Sequence, residues 1–199
     1  MKDPIVYKIV RPLLALWFFP TYRPQIINNN IIPKKEKAVL AGNHVSKKDG
    51  FILGASTKRC IRFIAKDELT NGPARFFFKR LGLIPVNRRI HDGSVVPAAV
   101  EVLNKDLLIG VFPESTINKT SDIIMPFKTG AIRMAIISKS PIIPFAITGE
   151  YTIFKKNVKI VFGELYYPKT NNIEKEIKIL ENKVINLIKK YGEWYEFYK

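Results

Sequence analysis

A histidine and a carboxylate, the pairing best suited to moving a proton near neutrality, stand together in Asn43-His44-Val45-Ser46-Lys47-Lys48-Asp49, directly after the apolar run Ala38 to Gly42. Imidazole beside carboxylate is general-base chemistry. Asp49 would hold one ring N–H of His44, fix the tautomer, and leave the other nitrogen to take a proton from a hydroxyl. Continued as a helix, this spacing would turn the two side chains roughly 140° apart at ~100° per residue. The pair can therefore meet only where the chain leaves a strand through a loop, and such places are where sites concentrate. A histidine near an aspartate is also often a plain hydrogen-bonded pair, so other segments must decide.

Three later segments bear on it: Gly82-Leu83-Ile84-Pro85-Val86-Asn87-Arg88, then Val111-Phe112-Pro113-Glu114-Ser115-Thr116, then Pro141-Ile142-Ile143-Pro144-Phe145-Ala146-Ile147. Together and in this order they resemble the four motif blocks of the glycerolipid acyltransferases, the family typified by bacterial 1-acylglycerol-3-phosphate acyltransferase. Asn43, His44 and Asp49 match the first block, Asn-His-x4-Asp, and Arg88 matches the arginine that ends the second. The third block, Phe-Pro-Glu-Gly-Thr-Arg-Ser, departs: Ser115 replaces its glycine and Ile117 its arginine. The resemblance covers roughly residues 36 to 150.

The resemblance implies acyl transfer from a thioester, acyl-CoA or acyl-carrier protein, to the free hydroxyl of a lysophospholipid-like acceptor, with no bound cofactor and no metal. His44 would deprotonate the hydroxyl and Asp49 steady the imidazolium. Asn43, Arg88, Glu114, Ser115, Thr116 and Lys128 would line the acceptor site. Arg88 is the favoured phosphate ligand, because a guanidinium grips phosphate oxygens as a bidentate fork. Without the resemblance, Glu114 would read as an exposed carboxylate at a helix start. The arginine missing from the third block removes one phosphate contact, which Lys119 or Lys128 could replace; the latter lies in Phe127-Lys128-Thr129-Gly130-Ala131. Alternatively the acceptor's phosphate is esterified or absent. His91, beside Asp92-Gly93, reads as a turn residue.

The elements that must position these residues alternate, as in a single α/β domain whose central, largely parallel or mixed sheet is flanked by helices. Strands are expected at Ala38 to Gly42, Ile61 to Ala65, Ile84 to Val86, Leu107 to Phe112, Ile142 to Ile147 and Val158 to Phe162. Helices are expected from Phe51 to Ser56, from Pro73 through Leu81, from Ser94 to Leu103 and from Gly130 to Ser138. The clearest helix runs from Ile173 through Tyr191, where apolar residues keep helical spacing between Lys and Glu. Three of the four blocks follow apolar strands, so their loops can cluster along one sheet edge.

Residues 1–24 form a separate segment ahead of the domain at 25–199. Asp3 can cap a helix with Pro4 at its first position; Ile5, Val6, Ile9, Val10, Leu13, Leu16 and Trp17 then share one arc while Lys8 and Arg11 face away. The stretch is too short and too charged to span a bilayer, which needs ~20 apolar residues, and it shows no cleavage site. It reads as an amphipathic helix that docks on the core or lies in a membrane interface.

With 199 residues, 47% hydrophobic and mean hydropathy near zero, the chain can bury one substantial core. The single cysteine, Cys60, excludes an internal disulfide and fits a reducing compartment. Thirty-three basic against seventeen acidic residues give a charge of +16, an attraction to anionic partners. Lys and Arg are spread along the chain rather than concentrated on one helix, which disfavours nucleic acid. The expected setting is peripheral or monotopic, on an anionic membrane surface at the cytoplasmic face. A lipid-binding protein on the same fold that has lost catalysis is the main rival.

Overall fold

A computed structural model describes residues 5–66, 82–86, 93–169 and 172–192. Within them seven strands form one sheet: β1 (Gln25–Ile27), β2 (Ala38–Gly42), β3 (Ile61–Lys66), β4 (Ile84–Val86), β5 (Leu108–Val111), β6 (Ile142–Thr148) and β7 (Lys159–Phe162). Their order across the sheet is β1-β7-β6-β2-β5-β3-β4. Strands β2 to β6 are mutually parallel, while β7 runs antiparallel to β6 and β1 parallel to β7. The sheet is therefore mixed, and the carboxyl ends of β2, β5 and β6 share one edge.

Alternation along the strands separates two cores. Ala38 and Leu40 of β2 point to one face with Leu108, Ile143 and Phe145; Val39 and Ala41 point to the other with Ile109 and Ile142. Helices α1 (Ile5–Tyr22) and α2 (Asp49–Ala55) cover the first face through Phe18, Tyr22, Ile52 and Leu53. Helices α3 (Val95–Leu103), α4 (Gly130–Ser138) and α5 (Ile173–Tyr191) cover the second through Ala99, Leu103, Ile132, Leu180 and Val184. Cover on both faces is why β2 and β6 read as unbroken apolar runs.

Most expected elements are found within a residue or two of their expected ends. Helix α2 begins earlier than expected, at Asp49, and β1 and the short 3-10 turn Asn29–Ile31 fall where no element is expected. The Asp3 cap and the helix expected after Pro73 lie outside the described residues.

The orientation of α1 corrects the sequence reading. Arg11 does not face away: its Nε donates to the Thr57 carbonyl at 2.8 Å and Nη2 to the Ala55 carbonyl at 3.2 Å, while the Tyr7 hydroxyl reaches the Arg59 carbonyl at 3.0 Å. The end of α2 leaves carbonyls without intrahelical donors, and α1 supplies them. The arc of Ile9, Leu13, Leu16 and Trp17 is consequently left exposed. At the opposite sheet edge, the Arg59 guanidinium donates to the carbonyls of Pro33, Lys35, Glu36 and Asp106, tying together the connections that enter β2 and β5.

Strand β2 delivers the histidine through a very close approach to β6. A Cβ placed on Gly42 would lie 2.2 Å from the Phe145 carbonyl oxygen and 2.5 Å from its ring. Gly42→Ala should therefore lower the unfolding free energy by about 1–3 kcal/mol, read from the midpoint of urea denaturation.

Candidate active site

Beyond Gly42 the main chain leaves the sheet, and the Asn43 side chain takes over its pairing. Asn43 Nδ2 donates to the Ile147 carbonyl at 2.9 Å, and Oδ1 accepts from the Ile147 N–H at 2.8 Å. The amide is buried and spent on β6. It does not line the cavity described below.

Residues 43–48 form the loop that the spacing of His44 and Asp49 requires, and Asp49 opens α2. His44 Nδ1 lies 2.8 Å from Asp49 Oδ2, which also accepts the N–H groups of Val45 (2.7 Å) and Ser46 (2.8 Å). The other oxygen, Oδ1, accepts the Tyr151 hydroxyl at 2.8 Å. Asp49 is wholly buried. With the carboxylate accepting, Nδ1 carries the hydrogen and Nε2 keeps its lone pair. The His44 ring also stacks on Phe112, 4.2 Å between centroids and 18° between planes. Two contacts thus fix the ring, and its exposed fraction of 18% faces the cavity.

The backbone of His44 is held from the segment after β5. Its N–H donates to Glu114 Oε1 at 2.7 Å, and its carbonyl accepts the Asn118 N–H at 2.8 Å. Glu114 Oε2 accepts the Met125 N–H at 2.9 Å. Glu114 is thus buried, not an exposed helix-start carboxylate, and its two oxygens serve main-chain donors. Burial pushes its carboxyl above the usual range, against the pull of these two hydrogen bonds.

An apolar cavity of 1720 Å³ opens beside His44, walled by α1, α2, β3, α3 and α4. Ser115, Thr116, Ile117 and Lys128 line it, and Lys47 and Arg133 add positive charge. Lys119 is exposed and does not line it. Ser115 sits at φ 62°, a left-handed conformation natural to the glycine it replaces. Arg88 and His91 lie outside the described residues. Among the described residues, no group of three or more His, Cys, Asp or Glu is arranged to hold a metal ion.

Sequence reasoning missed Tyr151. It lies past the last block, and its partner Asp49 is 102 positions away. Burial, then the Asp49 carboxylate, drives its phenol far above the ordinary range, so it stays a donor. Lys48 Nζ lies over both Tyr151 and Tyr22, 5.6 and 5.5 Å from the ring centres, linking α1 to the site.

Residues 23–148, more than half of the chain, match the family model described as Acyltransferase. The chain belongs to the acyltransferase family. Among curated relatives, a 1-acyl-sn-glycerol-3-phosphate acyltransferase of Borreliella burgdorferi is 30% identical over 159 residues, 78% of this chain and 63% of that protein. One of Bacillus subtilis is 28% identical over 183 residues, covering 82% of this chain and 90% of the relative. The crystal structure of the 1-acyl-sn-glycerophosphate (LPA) acyltransferase from Thermotoga maritima superimposes with a TM-score of 0.73 at 21% identity, over 94% of this chain and 79% of that one. The likeness in fold thus extends beyond residues 23–148.

In this member of the family Glu114 is a clamp whose two oxygens both accept main-chain N–H groups. Glu114→Gln would set an amide N–H₂ against one of two main-chain N–H groups. It should cost about 1–3 kcal/mol, measured by chemical denaturation, with the 43–48 and 117–126 segments gaining faster amide exchange.

Proposed function

We propose that the protein transfers a fatty acyl group from an acyl thioester to the free hydroxyl of a lysophospholipid, with 1-acylglycerol-3-phosphate the first acceptor to test. The observation that carries this is the His44–Asp49 pair at 2.8 Å, its imidazole opening onto a large apolar cavity. At 1720 Å³ the cavity exceeds the roughly 300–1,000 Å³ common for small-molecule sites. That size suits chain-bearing amphiphiles.

His44 Nε2 takes the acceptor's hydroxyl proton as that oxygen bonds to the thioester carbonyl carbon. The tetrahedral adduct then breaks its C–S bond, and the leaving thiolate receives the proton from the imidazolium. Asp49 stabilises that imidazolium and keeps Nε2 pointed at the substrate. No covalent acyl-enzyme is needed, because the acceptor is itself the nucleophile. Lys128 is better placed than Lys119 to meet the acceptor's phosphate, with Lys47 and Arg133 on the same cavity. Asn43 and Glu114 act at one remove, by holding the backbone on either side of the base. The setting that fits +16 and the exposed arc of α1 is peripheral, on an anionic membrane at the cytoplasmic face. No helix among the described residues is long and apolar enough to cross a membrane.

His44→Ala should lower turnover by about 10²–10⁴-fold, the usual share of a general base, and Asp49→Asn should also lose orders of magnitude by freeing the wrong tautomer. The assay is thiol release from palmitoyl-CoA or acyl-carrier-protein thioester, with lysophosphatidic acid set against lysophosphatidylcholine and lysophosphatidylethanolamine. Undiminished release by His44→Ala overturns the mechanism. Release only with a phosphodiester acceptor keeps the mechanism and changes the substrate, and no release with any pair favours lipid binding without catalysis.

A further inference from the structure

The face of α1 turned away from the core continues into a second exposed apolar element. Ile9, Leu13, Leu16 and Trp17 recur at three- and four-residue spacing, so they form one stripe, each more than half exposed. One turn beyond Trp17, Thr21 bonds back to the Trp17 carbonyl through Oγ1 at 2.7 Å, and its own carbonyl accepts the Phe154 N–H at 2.6 Å. That bond seats the β6–β7 connection at the end of the stripe. There Ile153 and Phe154 are 57% and 68% exposed.

Phe154 holds φ at 60°, in the left-handed region that a bulky aromatic residue rarely adopts. Main-chain hydrogen bonds hold this turn, the Phe154 N–H on the Thr21 carbonyl and the Lys155 N–H on the Thr152 carbonyl at 3.3 Å, while the aromatic side chain itself is left in solvent. Lys8, Arg23, Lys155 and Lys156 stand exposed on the same elements. A second copy of the chain, also carrying +16, is repelled from such a face, whereas an anionic lipid surface is attracted.

We propose that the Ile153–Phe154 tip is a second membrane-insertion point, which together with the stripe on α1 seats the protein on anionic phospholipid. The choice of a lipid occupant rests on the lipid-acceptor reading above. The arrangement has a mechanical consequence. Tyr151, two residues before the tip, holds Asp49, and Val10, Leu14 and Trp17 of α1 line the cavity. The elements that meet the bilayer are thus those that border the site, and an acceptor can pass from lipid to cavity along α1.

The test is co-sedimentation of the full chain with phosphatidylcholine vesicles prepared with and without phosphatidylglycerol. Wild type should bind the anionic vesicles preferentially. Phe154→Gly should bind about tenfold more weakly, as expected for one lost interfacial aromatic side chain, yet unfold at the same or a higher temperature because the strain is relieved. Leu165→Ser, which removes an exposed apolar residue beside the start of β6, should bind like wild type. Equal binding of wild type and Phe154→Gly overturns the proposal. So does failure of wild type to bind anionic vesicles, or a wild-type dimer in sedimentation velocity that Phe154→Gly dissociates. Thiol release in detergent micelles is scored separately. Vesicle binding with the stated Phe154 effect but no release overturns the acyltransferase reading alone; release without that effect overturns the docking surface alone.

Discussion

The site is organised by one costly object, a carboxylate taken wholly out of water. A buried Asp49 is tolerable only if hydrogen bonds replace its hydration. The imidazole of His44, the N–H groups of Val45 and Ser46, and the Tyr151 hydroxyl supply them. Three of these donors come from consecutive residues, so the chain after β2 must curl around the carboxylate rather than continue as strand or helix. The fourth comes from Tyr151, three residues past the end of β6. Satisfying one side chain thus dictates the path of the 43–48 loop, the starting point of α2 and the exit direction of β6.

The histidine is held with similar economy. A base acts efficiently only if its nitrogen is already aimed, and each degree of freedom of His44 has a restraint from a different element. Asp49 fixes the tautomer, Phe112 the ring plane, and Glu114 and Asn118 the backbone on either side. Phe112 in turn meets Phe145 edge-on at 5.8 Å, which carries the restraint into the core. Glu114 lies 70 positions from His44, yet the motif in which it stands, together with the motif that contains His44, helps to place that residue. The motif spacing therefore records sheet topology: β2, β5 and β6 are adjacent and parallel, so their carboxyl ends converge whatever the sequence distance.

What could be read in the sequence was what local patterning encodes. The apolar runs of β2 and β6 and the helical spacing of α5 follow from period and propensity alone, and the loop follows from requiring His44 to meet Asp49. Contacts decided by distant partners were not legible. Arg11 looks like a solvent residue until α2 presents carbonyls without donors. The strand β1 is three residues long and acquires its identity from β7, more than 130 positions later. The resemblance makes Asn43 and Glu114 residues of the acceptor site; their polar atoms are instead committed to Ile147, His44 and Met125. Tyr151 carries no local signal at all.

The two departures in the third motif differ in kind. Ser115 occupies a backbone conformation that suits glycine, and left-handed geometry costs an ordinary residue roughly 1–2 kcal/mol. The turn is nonetheless over-determined: the Ser115 N–H bonds the Phe112 carbonyl, the Lys128 N–H bonds the Pro113 carbonyl, and Glu114 anchors both His44 and Met125. A few kcal/mol of convergent hydrogen bonding offsets the strain, and the clamp on His44 stays closed. Serine at this position is therefore no sign of a decayed site. Ile117 is another matter, because it lines the cavity and puts an apolar side chain where an arginine would add charge. It leaves the His44–Asp49 pair untouched and alters only what the cavity wall can hold, so this departure falls on the lining of the cavity rather than on the pair.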